Sequence, residues 1–156
     1  MNILMKAVTL QLLFTTPLQA AIKASTYNLI NKNIVVAVID TGLDLSNIKF
    51  KKYLWENPGE IGLDSLGNDR RTNCIDDDGN GFIDDVNGWN FVDSNSDLND
   101  HYGHGTHVSG LILGQDQNMI NKDVKLMVLK YYDTPNNLKQ TPFEFSKKAL
   151  KYAIAN

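Results

Sequence analysis

The chain has 156 residues, with 15 Lys and Arg against 18 Asp and Glu, a net charge of −3, three His and one Cys. At 42% hydrophobic and 21% charged residues it has a globular balance, which argues against a wholly disordered chain, and its length allows one domain or part of a larger one. The weak acidic balance argues against a general nucleic-acid binder, which would carry a basic face, and the lone Cys74 rules out an intramolecular disulfide framework or a Cys-rich zinc site.

Residues 1–20 read as a secretory signal. Lys6 precedes the apolar stretch Ala7 to Phe14, then come Pro17 and a small residue, Ala20, at the expected cleavage point. The alternative is a buried N-terminal helix. The stretch is shorter than the ~20 apolar residues of a membrane span, and no other segment approaches that length. The expectation is an exported product, secreted or periplasmic, with residues 21–32 as a short extension ahead of the folded part.

Ile34-Val35-Val36-Ala37-Val38-Ile39 is an unbroken β-branched and apolar run. Without alternation, such a run predicts a strand covered on both faces, as in a parallel sheet. It stops at Asp40-Thr41-Gly42. From Gly42 to Tyr102 stretches a long, locally acidic excursion, far beyond the ~2–6 residues of an ordinary strand-to-helix loop. A Gly-flanked helix follows from about Gly103, with His104, Gly105, Thr106 and His107 in its first turns. Val124 to Leu129 predicts a second buried strand, closed by a polar turn from Asp133 to Asn137. Thr141-Pro142-Phe143-Glu144 has the N-cap, N1 and N3 residues of a capping box. In the helix it opens, Phe143, Leu150, Ala153 and Ile154 are expected on one apolar stripe. Strand, excursion, helix, strand, helix is the order of an α/β fold with a parallel sheet.

Within the excursion, Asp76-Asp77-Asp78-Gly79-Asn80-Gly81-Phe82-Ile83-Asp84 matches the opening of an EF-hand-type loop. Asp76, Asp78 and Asn80 offer hard oxygen donors, Phe82 its carbonyl, and Asp84 a direct or water-mediated contact. Position twelve is Asn87 rather than the bidentate Glu of sensor loops, and Asp85 is out of register, so binding is expected to be weaker or of another geometry. A structural Ca2+ is one expectation and a solvated acidic turn the other. A pair of true EF-hands is not expected, because the flanks lack long amphipathic helices.

Asp40 follows the first buried strand directly, at the edge where open α/β sheets collect ligands. His104 stands where the next helix begins, and a helix N-terminus disfavours a charged imidazolium. A carboxylate at Asp40 can orient that imidazole through Nδ1, leaving Nε2 to face a nucleophile. A zinc hydrolase on His101, His104 and His107 is the weakest reading. Their spacing puts at most two on one helical face, and no His-Glu-x-x-His accompanies them.

Val38-Ile39-Asp40-Thr41-Gly42-Leu43-Asp44 resembles the aspartate motif of the subtilisin-like serine proteases, the subtilases. Gly103-His104-Gly105-Thr106-His107-Val108-Ser109-Gly110 resembles their histidine motif, with Ser109 where Ala is commoner. The Trp55 to Glu60 stretch, the Asp76 to Phe91 stretch and Val128-Leu129-Lys130 are similar to the intervening region and the next core strand of many bacterial subtilases. The resemblance runs from about Asn33 to Asn156 and implies a subtilisin-like, Rossmann-like three-layer α/β fold, with residues 33–156 as the N-terminal part of a catalytic domain. It implies Asp40 as triad acid, His104 as general base, His107 as a structural residue, and a protein or peptide as substrate.

The family's nucleophile stands in a Gly-Thr-Ser-Met-Ala-like motif. None of Ser25, Ser46, Ser65, Ser94, Ser96, Ser109 and Ser146 has that context, so no nucleophile is assigned. The expectation is a C-terminally incomplete serine endopeptidase, inert alone. It would be a truncated product, a gene fragment or half of a split enzyme, with the alternative of a non-catalytic calcium-binding module.

Overall fold

The computed structural model describes residues 34–114, 123–133 and 142–156. The expected signal and extension, the turn residues 134–137 and the proposed cap at Thr141 lie outside the described residues.

Three parallel strands form one sheet: β1 (Ile34–Asp40), β2 (Gly88–Asn90) and β3 (Val124–Lys130), in the order β1-β3-β2. The β1 register on β3 runs from Ile34 opposite Val124 to Asp40 opposite Lys130. Among the described residues the α-helices are α1 (Ile48–Lys51), α2 (His104–Ile112) and α3 (Pro142–Ala155).

The unbroken apolar run of β3 has a direct cause. Its residues alternate between two separate cores, one on each face of the sheet. Val124, Leu126 and Val128 enter a cluster with Val38, Leu43, Phe50, Tyr53, Leu98 and Leu113, against which Val108 and Ile112 of α2 pack. Met127 and Leu129 enter a second cluster with Trp55, Trp89, Phe91 and the α3 residues Phe145, Ala149 and Tyr152. Helix α2 and helix α3 thus cover opposite faces, the three layers expected of the α/β reading. Burying each such side chain is worth about 1.5–3 kcal/mol, so β3 anchors both cores. β1 is less covered: Val38 is buried, but Ile34 and Val35 at its start are exposed, so coverage on both faces holds only toward its C-terminal end.

Two expectations change in detail. Helix α3 buries Phe145, Ala149 and Tyr152, spaced i, i+4, i+7; of the expected stripe Ala153 packs against them, while Phe143, Leu150 and Ile154 are 68%, 54% and 77% exposed. The expected stripe of Phe143, Leu150, Ala153 and Ile154 lies one position round the helix. The sheet instead receives a neighbouring stripe, in which a small Ala149 lets the helix approach and two aromatics fill the space beside it. The long excursion is also not structureless. It contains α1, single 3-10 turns at Pro58–Glu60 and Arg70–Thr72, and the strand β2. A three-residue strand has no periodicity to read; β2 exists because Gly88 to Asn90 pair with Val128 to Lys130.

Candidate active site

Asp40 is the last residue of β1 and His104 the first of α2. Parallel strands put Asp40 at the C-terminal rim of the sheet, and α2 starts at that rim. His104 Nδ1 lies 2.7 Å from Asp40 Oδ1 and 2.9 Å from Oδ2, across 64 residues of sequence. Oδ1 also accepts the Thr41 backbone N–H at 2.8 Å, which fixes the carboxylate plane. The Asp40 side chain is 15% exposed and that of His104 60% exposed. With Nδ1 donating to Asp40, the open side of the ring is Nε2, which carries the lone pair of a neutral imidazole. The hydrogen bond to Asp40 and then its charge hold the His104 pKa above the ordinary value of 6.5. Such a pair can accept a proton at Nε2 and stabilise the resulting cation.

The approach of strand end to helix depends on two glycines. A Cβ on Gly105 would stand 2.3 Å from the Gly42 carbonyl oxygen and 3.2 Å from the Asp40 Cβ. Gly42, at φ +115°, could carry one only 2.4 Å from the Leu98 carbonyl oxygen. A side chain at Gly105 would push the start of α2 away from the end of β1, and one at Gly42 would clash with the Leu98–Asn99 backbone.

Asp100 lies just below this contact. Its carboxylate accepts from the backbone N–H of Tyr102, Gly103 and Thr106 and from the hydroxyls of Thr41 and Thr106. Burial alone would raise its pKa. The bonds from Thr106, Gly103 and Thr41 outweigh burial and bring it down to about 2. At the sequence level Asp100 reads as one more loop acid; its only signal is a carboxylate four residues ahead of a helix-opening His.

The remaining histidines stay apart from the pair. His101 is exposed, with Nδ1 3.4 Å from Asp133 Oδ2. His107, expected to be packed, is exposed, because the buried residues of α2 are Gly105 and Ser109 and its apolar contacts come from Val108 and Ile112. Ser109 is buried with a hydroxyl that has no hydrogen-bond partner among the described residues.

In the acidic loop the expected side-chain donors are hydrogen-bonded within the chain, and a cluster of acids gathers beside them. Asp76 closes the loop on itself, accepting from the N–H of Asn80 and Gly81. Asp84 accepts the Cys74 N–H, and Phe82 sends its ring into an aromatic cluster with Trp89, Phe91 and Tyr152. Asn80 spends its amide on Asp78 and Asp85. Of the five residues expected as ligands, Asp78 alone joins the one group of metal-competent acids found among the described residues. That group is Glu60, Asp78 and Asp85, whose oxygens lie within 4.8 Å of one another. Glu60 and Asp85 are fully buried. Glu60 Oε1 accepts the Asp77 N–H, while its Oε2 is buried with no hydrogen-bond partner among the described residues. Asp85 accepts from the Asn57 amide at 2.7 Å and the Tyr152 hydroxyl at 2.5 Å. Burial raises the pKa of both Glu60 and Asp85, and the neighbouring carboxylates push the same way. Three oxygen acids around an orphaned buried oxygen fit a hard divalent cation, which would cancel the mutual repulsion. Glu60 carries no metal-ligand signal in the sequence, since it lies 16 residues before the loop in a Pro-Gly-Glu turn.

Among the described residues no helix is long and apolar enough to cross a membrane. The profile of the Subtilase family matches residues 31–149. The chain is 36% identical to Subtilisin-like protease 1 of Plasmodium berghei (strain Anka) over 103 residues, which is 63% of this chain and 16% of that protein. It is 38% identical to Subtilisin-like protease 1 of Plasmodium vivax over 99 residues, covering 61% and 14%. With Subtilisin-like protease 1 of Plasmodium falciparum (isolate 3D7) it shares 36% over 118 residues, covering 69% and 16%. The chain therefore spans about one sixth of the length of these relatives. With a family match over most of its length, on a parallel α/β sheet whose rim joins an aspartate to a histidine, this chain belongs to the subtilase family.

Proposed function

We propose that the chain supplies the acid and the base of a serine endopeptidase, Asp40 and His104, for peptide-bond hydrolysis by acyl transfer. The observation that carries this reading is the 2.7 Å contact of His104 Nδ1 with Asp40 Oδ1, with Nε2 left on the open side. In the first step a serine hydroxyl attacks the peptide carbonyl carbon while Nε2 takes its proton; Asp40 holds the tautomer and offsets the imidazolium charge. His104 then returns the proton to the departing amine, the C–N bond breaks, and an acyl-enzyme forms. A water repeats the sequence, giving its proton to Nε2 and releasing the acid. In this reading the nucleophile is a serine in the Gly-Thr-Ser-Met-Ala-like context of the family, which none of the serines of these 156 residues has. Residues 33–156 are the N-terminal part of a catalytic domain, and residues 1–20 direct export to a secreted or periplasmic site. The test is complementation with a family segment that carries the serine motif. His104→Ala should lower kcat on the order of 10⁶-fold and Asp40→Asn on the order of 10⁴-fold. Undiminished turnover in His104→Ala would end the assignment.

The same reading includes a structural Ca2+ held by Glu60, Asp78 and Asp85. The unpartnered Glu60 oxygen supports it, and the oxygen-only donor set favours Ca2+ over a transition metal. When bound, the ion supplies charge neutralisation and ties the turn at Pro58–Glu60 to the acidic loop. A non-catalytic calcium-binding module is the second reading, resting on this site alone. Calcium binding with no activity on complementation would favour it.

A further inference from the structure

We propose that Asp100, with the hydroxyls of Thr41 and Thr106, is the positioning device that sets the contact between Asp40 and His104. The inference rests on the reading of those two residues as triad acid and base. His104 is not held by packing, since its side chain is 60% exposed. Its place must come from where the backbone of α2 begins relative to the end of β1.

Two hydroxyls link these segments reciprocally. Thr41, next to Asp40, donates to Asp100 Oδ1 at 2.8 Å and accepts the Gly105 N–H at 2.9 Å. Thr106, on α2, donates to Asp100 Oδ2 at 2.6 Å and accepts the Asp44 N–H at 2.9 Å. Each hydroxyl is anchored in one segment and takes an N–H from the other, and both give their proton to the same carboxylate. Asp100 also takes the N–H groups of Tyr102 at 3.0 Å, Gly103 at 2.7 Å and Thr106 at 2.8 Å. Gly103 is the N-cap and Thr106 the third residue of α2, whose N–H groups have no partner within the helix, and Tyr102 leads into them. The negative charge suits that helix end. Hydrogen bonds to a charged acceptor are worth more than neutral ones, so the carboxylate makes the clasp stiffer than two Thr hydroxyls would alone. All these bonds go to neighbours of Asp40 and His104, so Asp100 acts through them.

The Asp100 charge also acts directly on His104, so the test uses neutral substitutions. In the 156-residue chain, labelled with 15N-His, the His104 pKa and the Nδ1 proton resonance are followed by NMR in wild type, Thr41→Val, Thr106→Val, Thr41→Ser, Thr106→Ser and Asp40→Asn. The proposal expects both Val variants, with native-like amide dispersion, to lose the low-field Nδ1 proton and to drop in His104 pKa toward the Asp40→Asn value. Both Ser variants should keep the wild-type values. A purely structural hydroxyl would leave both readouts unmoved in a folded Val variant, and that result overturns the proposal, as does loss of the contact in the Ser variants. If Thr41→Val does not fold, Thr106→Val carries the test, because it leaves the Gly105 bond in place. An unchanged His104 pKa in Asp40→Asn would overturn the pairing itself and this proposal with it, an outcome distinct from failure of the clasp alone.

Discussion

His104 shows how a single contact divides two pH effects. Asp40 raises its pKa in the folded chain, so the pair's contribution to stability is complete below the unfolded value of 6.5 and is lost as pH rises through the folded value. Catalysis runs the other way, because the base must be neutral. The acid limb of kcat/KM in a complemented enzyme should therefore lie above 6.5 and move down in Asp40→Asn. Gly105 tests the approach of the two elements. Ala inside a helix gains about 1 kcal/mol over Gly, but overpacking against a backbone costs about 1–3 kcal/mol. With the new Cβ 2.3 Å from a carbonyl oxygen the clash should win, giving a lower melting temperature and loss of the Nδ1 resonance. Ser109 is the opposite case. Its buried hydroxyl has no partner, so Ser109→Ala should stabilise the chain by about 1 kcal/mol in chemical denaturation.

At the scale of elements, β3 and α3 decide which residues matter. Leu126 is fully buried in the core under α2, and Leu126→Ala should cost about 2–5 kcal/mol. On α3 the two faces give a sharper contrast: Phe145→Ala should cost about 3–5 kcal/mol, and the exposed Phe143→Ala no more than about 1 kcal/mol, its stacking with Lys147 included. Of the stripe expected from the sequence only Ala153 reaches the core, because periodicity defines several adjacent stripes on one helix. Volume matching to the sheet, here around Ala149, chooses among them. The N-terminus of α2 adds an acid-sensitive joint. Asp100 is held down to about 2, so its contribution is present above its ordinary value of 3.8 and is lost as pH falls from there through about 2. The His104 contact should survive to pH 4 and loosen only below it, by the same NMR readout.

At the scale of the whole molecule, the acidic excursion is tied to the second core. Asp85, deep in the acid cluster, takes the hydroxyl of Tyr152, which stands on the buried face of α3. Whatever stabilises the cluster should therefore stabilise the packing of α3. A ligand that binds only the folded chain adds RT ln(1 + [L]/Kd), about 2.7 kcal/mol at a hundredfold excess over Kd. Thermal melts in CaCl2 against EDTA should show that gain in wild type and lose it in Glu60→Gln and Asp85→Asn. Asp76→Ala, which touches only the loop backbone, should still respond to calcium. An equal calcium response in Glu60→Gln would move the ion back to the EF-hand register.

Local pattern alone determined the parts of this protein that depend on near neighbours. The apolar runs of β1 and β3, the polar stop at Asp40 and the Gly-His-Gly opening of α2 are each written within ten residues, and the resemblance to the subtilases rests on them. Tertiary structure decided what depends on distant partners. β2 exists only through its pairing with β3; Glu60 becomes a candidate ligand only where the chain folds it against Asp78 and Asp85; and Asp100 becomes a clasp only between Thr41 and Thr106. A carboxylate's role is set by which donors and charges surround it, and in a chain folded back over 60 residues those neighbours are absent from its own stretch of sequence.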